Sequence, residues 1–345
     1  INVVAVNLPP IVNEDFSPPI YQRCPIVYFA PNAFQYDKTV GDMRSWKSYG
    51  EWQYKLLENR DQLSDEFKAK LHEMTKECKT DRDKVKAIYD YLAKTTRYVS
   101  IQLGIGGLQP IPASDVCRTG FGDCKGLTNY TKAMLKEIGI PSNYTIISTK
   151  NERLIPDFAS ANQMNHVVLQ VPLPNDTLWL ECTNAQLPFG YVHHRIAGHD
   201  ALLITPKGGK LVTLPSYSDL QNAQYIKANI TLSANNEAKA DIKENANLFQ
   251  YEEAMRIYYL EPNKRLEFIK NRVNLSQMNI TGLQINECKN SKPSVDISYT
   301  FKSNPFGQKT GNRLFVPANI FRRQFSVPSK GKRINPVYIG YGYTD

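Results

Sequence analysis

Between Ser45 and about Ala93 the apolar positions fall at helical spacing. Trp46, Trp52, Tyr54, Leu56 and Leu57 mark a first, aromatic-rich helix. Phe67, Leu71 and Met74 mark a second over 65–78, and Val85, Ile88 and Leu92 a third behind a Thr80/Asp81 cap. Another helix begins at Cys124, with Leu127, Met134, Leu135 and Ile138 on its apolar face. Gly139 ends it and Pro141 follows. The pattern then changes period. N-Y-T-I-I-S-T, M-N-H-V-V-L-Q-V and T-L-W-L-E-C-T read as strands, the last two joined by the turn P-L-P-N-D. Helices followed by antiparallel strands predict an α+β core.

The flanks alternate between apolar and polar positions. Residues 1 to about 36 carry Pro-punctuated β-formers and read as extended strands, the tail of an N-terminal β domain over 1–40. The core spans 41–217. Beyond Ser218 a hairpin is expected around Asn235-Asn236-Glu237. A helical stretch over 251–271 follows, and then strands at I-T-G-L-Q-I-N, S-V-D-I-S-Y-T-F and V-Y-I-G-Y-G-Y. Residues 218–345 therefore read as a β-sandwich-like C-terminal domain with an inserted helix. A chain of 345 residues is long enough for two or three such units.

Composition removes several function classes. The net charge of +9 is spread among acidic neighbours, so a solvated surface is favoured over nucleic-acid binding. No apolar run is long enough for an integral membrane segment. The six cysteines contain no C-x-x-C pair, which argues against a zinc site. G-I-G-G has neither dinucleotide-loop nor P-loop spacing. No cofactor is called for. His193, His194 and His199, with Asp200, permit a metal reading, but a solvated loop rimming a site is preferred, and no metal is assigned.

The chemistry concentrates at G-D-C-K-G. Cys124 starts a helix, where unpaired N–H groups and the helix dipole favour a thiolate. Asp123 and Lys125 flank it, and because adjacent side chains at a helix start diverge, they need not touch the sulfur. His166 is an imidazole within an apolar strand, and Glu181 lies on the next strand. A turn centred near Leu173 and Pro174 would make paired numbers sum to about 347, which sets His166 opposite Glu181 on one face. Cys182 then points the other way, into the core. A nucleophile, a base and an orienting acid are the parts of a cysteine acyl-transfer site. The Cys124 N–H is the default oxyanion donor. Gln109, Gln102 and Tyr98 are side-chain candidates, Gln109 first.

The segments A-S-D-V-C-R-T-G-F-G-D-C-K-G-L-T-N-Y, N-H-V-V-L and L-W-L-E-C-T resemble the core blocks of the transglutaminase-like superfamily, in the order Cys, His, acid. The resemblance covers roughly 65–215. It implies a papain-like core and a thioester mechanism acting on a peptide or protein substrate, with hydrolysis favoured over cross-linking. It also implies β-rich flanks of the kind found in secreted proteins of Bacteroides relatives. The chain starts at Ile1, as a processed or truncated piece would, and the expected location is the periplasm or cell surface. The family pattern has Asp where this chain has Glu181, and Thr183 and Asn184 could share the orienting role. The competing expectation is a binding or scaffold protein that keeps the core without turnover.

Overall fold

The computed structural model describes residues 2–275, 277–321, 332–340 and 342–344. The chain divides into two compact units. One is Phe29–Tyr217 with Cys288–Pro293, and the other is Ile1–Tyr28, Ser218–Glu287 and Ser294–Asp345.

The first unit opens with a short hairpin, β1 (Ala33–Tyr36) and β2 (Thr39–Asp42). Three helices follow: α1 (Trp46–Leu57), α2 (Asp65–Thr75) and α3 (Asp81–Thr95). Each begins on a side-chain cap. Ser45 and Thr80 form reciprocal capping boxes with Ser48 and Asp83, and Ser64 accepts from the Phe67 N–H. The short strand β3 (Arg97–Tyr98) pairs in parallel with β4 (Phe121–Gly122), and α4 (Ala113–Thr119) lies between them. Then comes α5 (Cys124–Glu137). At its end Gly139 takes φ +78°, while Gly139 and Ile140 donate back to Lys136 and Leu135.

Five antiparallel strands complete this unit: β5 (Asn143–Ile147), β6 (His166–Leu173), β7 (Asp176–Leu180), β8 (Asp200–Thr205) and β9 (Gly208–Thr213), in the order β7-β6-β5-β8-β9. Alternation along the strands divides the packing between the two faces. Leu169, Val171, Leu178 and Leu180 bury against Leu127, Tyr130 and Met134 of α5 and against Ile88 and Leu92 of α3. Val168 and Trp179 face the other way, onto Val192, Ile196 and Leu214. Each large apolar side chain so buried contributes roughly 1.5–3 kcal/mol. The helix α1 lies close on β9. A Cβ placed on Gly50 would fall 2.0 Å from the Gly209 nitrogen, so glycine is required there.

The second unit is built on a four-stranded antiparallel sheet. Its strands are β10 (Gln224–Leu232), β11 (Ala238–Asn247), β12 (Asn279–Cys288) and β13 (Ser294–Ser303), in the order β10-β11-β13-β12. The hairpin expected around Asn235-Asn236-Glu237 closes with Leu232 opposite Ala238. The interrupting helical stretch is two helices, α6 (Phe249–Met255) and α7 (Pro262–Arg272). They cover the apolar face, where Ala240, Ile242, Ile297 and Phe301 pack with Ala254, Met255 and Ile269. A last hairpin joins β14 (Gln308–Thr310) to β15 (Arg313–Phe315).

Two strand expectations do not hold. Residues 2–32 form no strand. Pro9, Pro10, Pro18, Pro19, Pro25 and Pro31 lack the N–H a ladder needs. V-Y-I-G-Y-G-Y forms none among its described residues either, because Val337 and Ile339 stay exposed and bury no face. Among the described residues no helix is long and apolar enough to cross a membrane.

Candidate active site

Cys124 is the first residue of α5 and is 6% exposed. Asp123 caps the helix, its Oδ1 accepting from the Gly126 N–H at 3.0 Å. By helix geometry the N–H groups of Cys124 and Lys125 have no intrahelical partner, which leaves donors beside the sulfur. Asp123 and Lys125 turn to each other. They form an ion pair with both side chains almost wholly buried, and Lys125 also reaches the Ile101 carbonyl at 3.5 Å. Neutralising each other, they leave the cap's geometry fixed without adding net charge next to the thiol. Gly126 is confined as well, since a Cβ there would meet Ile111 Cγ1 at 2.9 Å.

His166 is the first residue of β6. Its Nε2 lies 2.8 Å from Glu181 Oε2, and the Cys124 side chain lies near enough to act on the charge of its ring. With Nε2 turned to the carboxylate, Nδ1 is the nitrogen left for sulfur. Burial disfavours an imidazolium here. The Cys124 side chain, the hydrogen bond to Glu181 and the Glu181 charge outweigh burial and push the His166 pKa up to about 10.

Glu181 is 5% exposed, just beyond β7. Burial pushes its pKa up, but hydrogen bonds to His166 and His193 and the His166 charge hold it well below the usual carboxylate range. Its oxygens accept on both sides. Oε1 takes the Thr183 N–H at 2.9 Å and the Thr183 hydroxyl. Oε2 takes His166 and also Nε2 of His193 at 3.2 Å.

The hairpin register differs from the sequence expectation by two residues. Leu173 pairs with Asp176 and Leu169 with Leu180, so paired numbers sum to 349 and the turn centres on Pro174 and Asn175. A two-residue shift preserves faces. His166 and Glu181 are therefore diagonal neighbours on one face instead of directly opposed. Cys182 faces the α5 side, 2% exposed, with burial pushing its thiol up to about 12.

Residues 68–183, which include all three of these groups, match the transglutaminase-like superfamily. This stretch is a transglutaminase-like domain. No curated protein matches the chain. Among solved structures, a putative protease from Parabacteroides distasonis is similar at 11% identity, with a TM-score of 0.40, over 74% of this chain and 54% of that one. The chain thus spans about half the length of that protein.

The transglutaminase-like domain treats the oxyanion candidates differently. Gln109 is occupied at both ends of its amide: Nε2 donates to the Leu56 carbonyl at 3.3 Å, and Oε1 accepts from Arg60 at 2.8 Å. Gln102 is exposed on its loop. Tyr98 pairs with Gly122, two residues before the cysteine. It borders a cavity of about 220 Å³ with Arg97, Leu127, Thr183, Asn184 and Gln186. The three loop histidines part company. His193 turns to Glu181, His199 is buried with Nδ1 2.7 Å from the Ser148 carbonyl, and His194 is exposed. A wholly solvated loop is therefore not what forms.

Sequence reasoning did not single out Tyr144. It is 1% exposed in β5, packs in one cluster with Cys124, and its hydroxyl has no partner among the described residues. Strand alternation would have turned its ring inward, but nothing in the pattern reveals a hydroxyl without a partner.

Proposed function

We propose that the transglutaminase-like domain is a cysteine hydrolase acting on an amide or peptide bond. The observation that carries this reading is the 2.8 Å hydrogen bond between His166 and Glu181 beside Cys124, which starts a buried helix and whose side chain acts on the His166 charge. The thiolate of Cys124 attacks the substrate carbonyl carbon, and the carbonyl π electrons move to oxygen. Backbone N–H groups at the start of α5 receive that oxyanion. The tetrahedral intermediate collapses, the C–N bond breaks, and the His166 imidazolium gives its proton to the departing amine. A thioester remains. His166, now neutral, takes a proton from water as that water attacks the thioester, and the Cys124 thiolate leaves. Glu181 stays ionised throughout and holds the ring in place.

The test is activity-based profiling with electrophilic peptide libraries, with Cys124→Ala as control. Covalent capture at Cys124 that depends on peptide sequence, together with cleavage of the matching amide, supports hydrolysis. Release of the original amine with transfer of the acyl group to an added amine, instead of to water, would indicate transamidation. A chain that binds peptides but is captured no faster than a free thiol would be a scaffold.

A further inference from the structure

The acid of this site serves two histidines. His166 and His193 both direct Nε2 at the same oxygen of Glu181, at 2.8 and 3.2 Å. Their other nitrogens meet opposite chemistry. The His166 ring also lies near enough to Cys124 for that side chain to act on its charge, and in the catalytic reading the sulfur is an acceptor. Nδ1 of His193 instead lies 3.4 Å from the backbone nitrogen of Arg195, which is a donor. A neutral ring protonated on Nε2 satisfies both contacts of His193. A charged ring would set two N–H groups against each other.

The loop is built to hold that ring still. Val192 and Ile196 on either side are each 2% exposed and lock into the cluster of Val168 and Trp179. The His193 carbonyl accepts from the N–H groups of Ile196 and Ala197. Val192 N–H donates to the Tyr217 hydroxyl at 3.2 Å.

We propose that His193 is a positioning residue, a neutral imidazole that pins the carboxylate of Glu181 so that its charge is directed at His166. The inference rests on the catalytic reading given above. Glutamate has one more rotatable bond than aspartate, and an acid of that length needs more restraint to aim one oxygen. Thr183 fixes Oε1 through two donors, and His193 fixes Oε2 against rotation away from His166. The two rings divide the work: one carries charge and proton, and the other only a directional hydrogen bond.

The test compares the native chain with His193→Phe, which removes the donor, and His193→Gln, which keeps one. The readouts are the iodoacetamide labelling rate at Cys124 near neutral pH and the imidazole nitrogen resonances of the native protein. Loss of one hydrogen bond to a charged group should slow labelling in His193→Phe by about tenfold. His193→Gln should stay within about threefold of native, and His193 should resonate as a neutral ring protonated on Nε2. Native-like labelling in His193→Phe would overturn the proposal, as would equal loss in both variants or a charged His193. If native Cys124 itself labels no faster than a free thiol, the catalytic reading fails. The tautomer of His193 then decides its place on Glu181 separately.

Discussion

Each unit of this protein buries one glutamate among apolar neighbours, and the two are matched in opposite ways. Glu244 lies on the inward row of β11, in line with Ala240, Ile242 and Ala246. It is 4% exposed, against 5% for Glu181. Its partner is Arg272 at the end of α7, which grips it with two hydrogen bonds of 2.7 and 3.1 Å, and Gln224 adds a third at 2.7 Å. An arginine keeps its charge at every ordinary pH, so that carboxylate is neutralised permanently. Glu181 is answered by two histidines and a threonine, groups that can give up or reorient protons. Burial is the same in both places. What differs is the partner: a guanidinium of fixed charge beside Glu244, and imidazole rings beside Glu181.

The comparison breaks most visibly at Arg272. Arg272→Met should strand a buried charge and destabilise the C-terminal unit by about 3–5 kcal/mol, seen as a lower unfolding midpoint, while Cys124 labels as in the native chain. Glu181→Gln should do the reverse. Labelling at neutral pH should fall by about tenfold, as the charge that stabilises the imidazolium is lost, and the fold should survive. The smallest effect belongs to the double replacement Glu244→Leu with Arg272→Met. Exchanging a whole buried pair for apolar groups of similar size is often near neutral, so its unfolding midpoint should return towards native.

The strand faces that hold these two glutamates follow from the sequence pattern, and their partners do not. The period of A-K-A-D-I-K-E places Glu244 on the apolar side of β11, and the pattern around T-L-W-L-E-C-T separates Glu181 from Cys182. The helix start at Cys124 and its end at Gly139 follow from local chemistry alone. The hairpin was read two residues out, because the tight turn sits at Pro174 and Asn175 instead of one residue earlier. The error was harmless to the face, since side chains alternate with a period of two. Long-range contacts were not legible. His193 reaches Glu181 from a loop with no periodicity, and the pairing of Asp123 with Lys125 depends on how Ile101 and Ile111 enclose the helix start. The capture of Gln109 by Arg60 and Leu56 likewise joins segments about fifty residues apart.

The proposed mechanism requires Cys124 to be held as a thiolate by the imidazolium of His166. The pH dependence of Cys124 alkylation, in the native chain and in His166→Ala, tests it most directly. His166 has a folded-state pKa raised from 6.5 to about 10, so the stabilisation its charge provides is fully present below 6.5 and is lost as pH rises through about 10. Native Cys124 should alkylate at nearly the same rate at pH 6 and pH 8. In His166→Ala the rate should fall by about tenfold for each unit below the ordinary thiol range. A native profile that follows a free thiol down through the same range, with no difference between the two chains, would contradict it.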